Sequence, residues 1–280
     1  MRRLLSFCLT ALACLTVATT GRAETTCGAI GNPCAVPLGS YQAVAPADWN
    51  GARPLGLLLF FHGYGSSGES PLRNETLLQL AAERNLLLVA PNGVPGRPDG
   101  PTSWAHGGSP STARDELTFT DQVLADVAQH WPLDAGRRFV SGFSQGGSMA
   151  WDIACYRGEA FTGFAPIAGA FWDPLPEDCP AGPVALRHVH GTSDGVVPME
   201  GRPIGQQWHQ GDVLASVARL RVENACAAEP DAIQSEGPLT CEIWTSCGSG
   251  KPLALCLHPG GHAFQADWVA EGIDWLETGE

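Results

Sequence analysis

Residues 138–147 read Arg138-Phe139-Val140-Ser141-Gly142-Phe143-Ser144-Gln145-Gly146-Gly147, and this stretch decides the fold. A short apolar run enters it and a helix-like segment over 144–156 leaves it. Between them lies Gly-x-Ser-x-Gly, a motif that needs a strand before it and a helix after it. In that setting Ser144 rides a sharp, strained turn. Glycine at 142 and 146 keeps side chains out of the adjoining strand and helix. The helix N-terminus aims its partial positive charge at the hydroxyl. Ser144 is therefore the candidate nucleophile.

Outward from this turn, apolar runs occur at 55–61, 86–90, 163–168 and 184–189. They are apolar on both faces, as buried parallel strands are. Helix-like stretches at 77–83, 119–131, 212–222 and 264–276 alternate with them. This alternation predicts an α/β fold: a mostly parallel, twisted sheet with helices on both faces. Neither a repeat nor a linker breaks the pattern, so one domain is expected over 24–280. Long loops at 91–115, 171–183 and 196–210 each follow a strand's carboxyl end, the ligand-binding edge of such sheets. Trp104, Trp172 and Trp208 in these loops are candidate lining for a substrate pocket.

The chain has 280 residues, 44% of them hydrophobic, with a formal charge of −13 and a single lysine, Lys251. Basic clusters that would hold nucleic acid are missing from the sequence. Met1-Arg2-Arg3, an apolar run over 4–17 and small residues up to Ala23 have the order of a secretory signal. Cleavage after Ala23 is expected, with export to the periplasm or medium and no membrane attachment afterwards. Cys8 and Cys14 leave with the leader, and eight cysteines remain. An even count in an exported chain implies disulfides, though many connectivities are open to it. Local spacing favours Cys27 with Cys34. A hairpin folded about Gly248-Ser249 would set Cys241 opposite Cys256. Cys226 is then left for Cys247 and Cys155 for Cys179.

A serine needs a base, and the base needs an orienting acid. In this class of sheet the order is serine, acid, histidine. His190-Gly191-Thr192-Ser193-Asp194 places Asp194 just beyond a strand; Asp173 and Asp178 come a strand too early. His262, after Pro259-Gly260-Gly261, suits the loop beyond the last strand, with His258 as its rival. Acyl transfer also needs donors for an oxyanion. The backbone amides of Gln145 and of Tyr64, in His62-Gly63-Tyr64-Gly65, are assigned that role, and His62 is read as bracing its loop. His188 and His190 share a strand face without a carboxylate partner, so no metal is assigned. No cofactor fingerprint occurs.

The ordered set of His62-Gly63-Tyr64-Gly65, the Ser144 elbow, His190-Gly191-Thr192-Ser193-Asp194 with Val197-Pro198, and Gly260-Gly261-His262 resembles the secreted polyhydroxybutyrate depolymerase and feruloyl esterase branch of the α/β-hydrolases. Pro91-Asn92-Gly93, Trp104 and Cys226 fit the same branch. The resemblance implies a cofactor-free serine esterase with Ser144, Asp194 and His262 as its triad. The leading expectation is hydrolysis of polyhydroxybutyrate-like polyester or its oligomers. The alternative is a feruloyl or acetyl xylan esterase acting on plant polysaccharide. A serine peptidase and a non-catalytic binding protein on the same scaffold rank below both.

Overall fold

The computed structural model describes residues 27–279, and the leader reading of 1–23 lies outside them. The strands are β1 (Cys34–Val36), β2 (Gly39–Val44), β3 (Leu55–Phe61), β4 (Leu86–Pro91), β5 (Val94–Pro95), β6 (Thr102–Ser103), β7 (Leu133–Phe143), β8 (Gly163–Ile167), β9 (Leu186–Gly191), β10 (Arg202–Ile204), β11 (Trp208–Gln210), β12 (Ala232–Glu236), β13 (Leu239–Trp244) and β14 (Leu253–His258). The helices are α1 (Glu69–Leu72), α2 (Glu75–Glu83), α3 (Glu116–His130), α4 (Gln145–Arg157), α5 (Val213–Glu223) and α6 (Ala266–Thr278).

Ten strands form one sheet in the order β1-β2-β4-β3-β7-β8-β9-β14-β13-β12. The six from β4 to β14 run parallel, and antiparallel strands close both edges. Strand alternation sends successive side chains to opposite faces. In β3, Leu57, Leu59 and Phe61 join the core under α3, α4 and α5. Leu58 and Phe60 join the core under α2 and α6. All seven β3 residues are buried, which is why this strand reads as an unbroken apolar run.

Three helices start on an Asx cap. Asn74, Asp115 and Asp212 accept the amides of Leu77, Thr118 and Ala215, each worth about 1 kcal/mol. Helix α4 starts on Ser144, and that side chain makes no capping bond. The hydroxyl is left free for other use.

β7 is eleven residues long, well beyond the expected stretch at 138–141. Its first part, Leu-Asp-Ala-Gly-Arg, is polar, and its register against β3 shifts between Leu55 and Leu57. β1, β2 and β12, and the hairpins β5–β6 and β10–β11, are too short or too polar to register as apolar runs.

Disulfides join Cys27–Cys34, Cys155–Cys179, Cys226–Cys247 and Cys241–Cys256. Cys241 and Cys256 are direct cross-strand partners in the β13–β14 pair. Cys155 lies on α4, so its bridge ties the helix behind Ser144 to the loop that carries Trp172. The described residues hold no helix long and apolar enough to cross a membrane.

The Cys155–Cys179 link closes a loop of sequence separation 24, which is worth roughly 3 kcal/mol of stability through the unfolded chain. Replacing both cysteines by alanine should lower the unfolding free energy by about that amount, read from the urea midpoint.

Candidate active site

Ser144 sits where β7 ends and α4 begins, with φ 60° and ψ −123°. Positive φ at a residue with a side chain costs on the order of 1–3 kcal/mol. Packing on either side imposes it. A Cβ at Gly146 would meet the Phe61 carbonyl, and one at Gly142 would meet the Gly146 carbonyl, both nearer than real Cβ contacts come. Helix α4 can thus lie directly on β3, with the turn from β7 into α4 squeezed to one residue. The Ser144 amide donates to Ile167 O at 3.0 Å, fixing the turn against β8.

The acid stands at the end of β9. Asp194 Oδ1 accepts the amides of Val196 at 2.8 Å and Val197 at 2.9 Å, while Oδ2 accepts His262 Nδ1–H at 2.7 Å. The side chain of Asp194 is fully buried. Burial alone would raise its pKa, but the His262 bond and the two amides outweigh it and hold the carboxyl below its ordinary value. Asp194 is therefore an anion, and its bond leaves His262 Nε2 as the free basic nitrogen.

Backbone bonds bring the two loops together. Thr192 N donates to His258 O at 2.8 Å and Ser193 N to Gly260 O at 3.0 Å. Ser193 Oγ donates to Pro259 O at 3.1 Å. Glycine is needed at 191, because a Cβ there would lie 2.5 Å from the carbonyls of both Gly260 and Gly261. The His262 ring also packs on Phe143, the residue before Ser144, with centroids 4.7 Å apart. His258 goes elsewhere: its Nδ1 accepts the Gly260 amide at 3.1 Å and its ring lies on Trp268. His188 and His190 are buried and run as a chain from Pro166 O to Val197 O, with 2.9 Å between the two rings. They support the Asp194 loop from below.

The Tyr64 loop faces the elbow, since a Cβ on Gly63 would lie 3.5 Å from Ser144 Cβ. His62 holds this loop. Its Nδ1–H donates to Gly63 O at 2.8 Å, and its Nε2 accepts the Gly93 amide at 3.0 Å. Both bonds need a neutral ring, and burial lowers its pKa to about 4. Gln145 opens α4, so its amide belongs to the first turn, whose N–H groups have no intrahelical acceptor. Its side chain donates to Ser103 Oγ at 2.9 Å.

Ser144 opens into a cavity of about 310 Å³ that Tyr64, Gln145, Trp172, Val197 and Arg202 also line. The three tryptophans expected to line a pocket divide. Trp172 lines this cavity, and Trp208 lines an adjoining one with Tyr64 and Arg97. Trp104 does not: it is fully buried and its indole N–H donates to His62 O at 2.7 Å. It braces the Tyr64 loop from the core side, where an apolar ring with one donor fits and substrate does not. The β10–β11 hairpin, which supplies Arg202, Ile204 and Gln210 to the cavity, was not foreseen. Gly205 between two short polar runs is the weak signal that marks it.

With this geometry in place, the comparisons with known proteins agree with one another. A family model described as "Putative esterase" matches residues 41–226. "Probable feruloyl esterase C" of Aspergillus niger is 25% identical over 234 residues, covering 79% of this chain and 75% of that protein. "Feruloyl esterase D" of Neurospora crassa is 28% identical over 237 residues, covering 79% of this chain and 73% of that one. Among solved structures, acetyl xylan esterase from Aspergillus awamori shares the fold with a TM-score of 0.61 at 12% identity, covering 84% of this chain and 94% of that one.

Burial also sets a pH dependence. His62 and His106 each have a pKa lowered from 6.5 to about 4. Between those values the unfolded chain binds protons that the folded one refuses, so stability falls as pH drops from 6.5 toward 4. Burial lowers His188, His190 and His258 in the same sense. Asp152 runs the other way, raised from 3.8 to about 7 by burial, as does Glu116 in direction. The histidines outnumber these two acids. The urea midpoint should therefore rise between pH 4 and 6.5; a flat or falling midpoint would contradict neutral, buried His62 and His106.

Proposed function

The chain belongs to this esterase family, within the α/β-hydrolases, and from that premise we propose that it is a secreted serine carboxylesterase working through an acyl-enzyme at Ser144. The observation that carries the reading is the 2.7 Å bond from His262 Nδ1 to a buried, ionised Asp194, next to an elbow serine whose hydroxyl caps nothing.

In this reading Ser144 Oγ attacks the ester carbonyl carbon while His262 Nε2 takes its proton. Asp194 holds the ring in the tautomer that leaves Nε2 free and stabilises the imidazolium. The tetrahedral oxyanion accepts the amides of Tyr64 and Gln145, donors already held in place, so little reorganisation is needed during reaction. The imidazolium then protonates the leaving alcohol. Water attacks the acyl-enzyme with the same base and releases the acid. Every role is filled by a side chain or a backbone amide, and the reading calls for no cofactor.

For substrate class, the relatives named feruloyl esterases favour hydroxycinnamoyl esters of plant polysaccharide. The apolar contacts that Trp172, Val196, Val197 and Ile204 supply around Ser144 suit a flat aromatic acyl group. The polyhydroxybutyrate-type polyester, the leading expectation from the motifs, finds no specific support among these relatives and takes second place. Export is supported by the pairing of Cys27, Cys34, Cys155, Cys179, Cys226, Cys241, Cys247 and Cys256 in disulfides. Removal of the 1–23 leader would leave one catalytic domain.

Ser144→Ala should reduce kcat/KM on p-nitrophenyl acetate by on the order of 10⁴-fold or more, with an unchanged melting temperature. Asp194→Asn should cost on the order of 10⁴-fold. Full activity in the Ser144 variant would end the assignment. On a panel of methyl ferulate, p-nitrophenyl acetate and the methyl ester of a hydroxybutyrate trimer, which has no free carboxylate, methyl ferulate should show the highest kcat/KM; a preference for the trimer would restore the polyester reading.

A further inference from the structure

Arg202 stands in the nucleophile's cavity under unusual conditions for this chain. Against 29 acidic residues the molecule has 16 basic ones, and most described arginines are matched to carboxylates. Arg84 pairs with Asp274, Arg137 with Glu277, Arg157 with Asp121 and Arg219 with Glu223. Arg202 instead donates Nε–H to Gln210 Oε1 at 3.0 Å, and it has no carboxylate partner among the described residues. A glutamine orients a guanidinium without cancelling its charge. A glutamate in the same place would orient it and neutralise it.

The mount is rigid. Arg202 and Gln210 are register partners across the β10–β11 hairpin. Gly201 N donates to Pro198 O at 2.8 Å, Gly211 N to Phe171 O at 3.0 Å and Asp173 N to His209 O at 3.0 Å. The hairpin is thus pinned both to the segment that follows Asp194 and to the Trp172 loop. With Nε committed, the two terminal nitrogens keep the parallel N–H pair that matches a carboxylate's two oxygens. Val196, Val197, Ile204 and Trp172 line the same space. Apolar walls of this kind strengthen a charge–charge contact relative to open water. Arg97 in the adjoining cavity, beside Tyr64 and Trp208, also has no carboxylate partner among the described residues. Each of the two adjoining cavities thus has in its lining an arginine that no carboxylate pairs with among the described residues.

We propose that Arg202 is a specificity-determining residue that selects esters bearing a free carboxylate on one side of the scissile bond. The inference rests on the esterase reading and deepens it. It names a recognition element on the substrate that the family assignment does not supply.

The test uses matched pairs. On the acyl side, p-nitrophenyl hemisuccinate is compared with p-nitrophenyl butyrate, which replaces the carboxylate by a methyl group. On the alcohol side, 3-carboxyphenyl butyrate is compared with phenyl butyrate. In at least one pair the wild-type protein should favour the charged ester in kcat/KM. That charged-to-neutral ratio should fall about tenfold or more in Arg202→Gln. It should fall by less in Arg202→Lys, which keeps the charge and loses the fork. Added salt should lower the wild-type ratio and leave the Arg202→Gln ratio flat. Circular-dichroism melting of each variant verifies folding, and the ratio cancels any general loss of activity. Turnover of the neutral esters with a ratio that Arg202→Gln leaves unmoved in both pairs overturns the carboxylate inference alone. No turnover of any ester, with no fluorophosphonate labelling of Ser144, overturns the esterase reading and this inference with it.

Discussion

Where β7 gives way to α4, two backbones come closer than side chains would allow. The Phe61 carbonyl occupies the place a Cβ on residue 146 would need, and this contact governs the rest of the edge around Ser144. It seats α4 on β3 and forces Ser144 to φ 60°. It sets the first-turn amides of α4 beside the loop that follows β3. A helix set further out would relax the turn, and the serine could then cap the helix in the ordinary way, as Asn74, Asp115 and Asp212 do for theirs. The free hydroxyl is thus a consequence of close packing two residues away. The local strain is repaid by burial of α4, whose residues from Gln145 to Cys155 are all buried.

The other half of the site is built by stitching loops together. Asp194 and His262 are 68 residues apart in the chain, and β9 and β14, which carry them, are adjacent parallel strands. Adjacency brings the loops into the same region. The bonds from Thr192 and Ser193 to His258, Pro259 and Gly260 then lock them in register. Below, the buried pair His188 and His190 spans from β8 to Val197. Asp194 consequently spends one oxygen on two backbone amides and presents the other to His262. An anion buried without such donors would carry a large desolvation cost.

A division of labour follows among the aromatic and basic residues around Ser144. Trp104 and His62 lie behind the Tyr64 loop and make it stiff; Trp172 and the β10–β11 hairpin lie in front and shape what enters. The tether from Cys155 to Cys179 joins the two groups, since it links the helix that follows Ser144 to the segment bearing Trp172. Arg202 and Arg97, which have no carboxylate partner among the described residues, line the two adjoining cavities.

Much of this was legible in the chain. Unbroken apolar runs are what strands buried on both faces commonly look like, so β3, β4 and β8 could be read directly, while β9 is buried although Arg187, His188 and His190 interrupt its run; helix-like stretches marked α3 and α6. The Ser144 turn could be placed because only glycine tolerates the approach at 142 and 146. The serine–acid–histidine order came from the pattern of this class of sheet, and the position of Asp194 just beyond an expected strand then singled it out. Polar or very short elements were hidden: β1, β2, β12 and the first half of β7 owe their strand state to neighbours with which they pair. Tertiary structure alone decided between His258 and His262, because which ring turns toward Asp194 depends on backbone bonds between distant loops. It alone put Trp104 in the core and Arg202 in the cavity. Composition carries information about burial and turns, which are local; the partner of a given side chain is set by which segments fold against it.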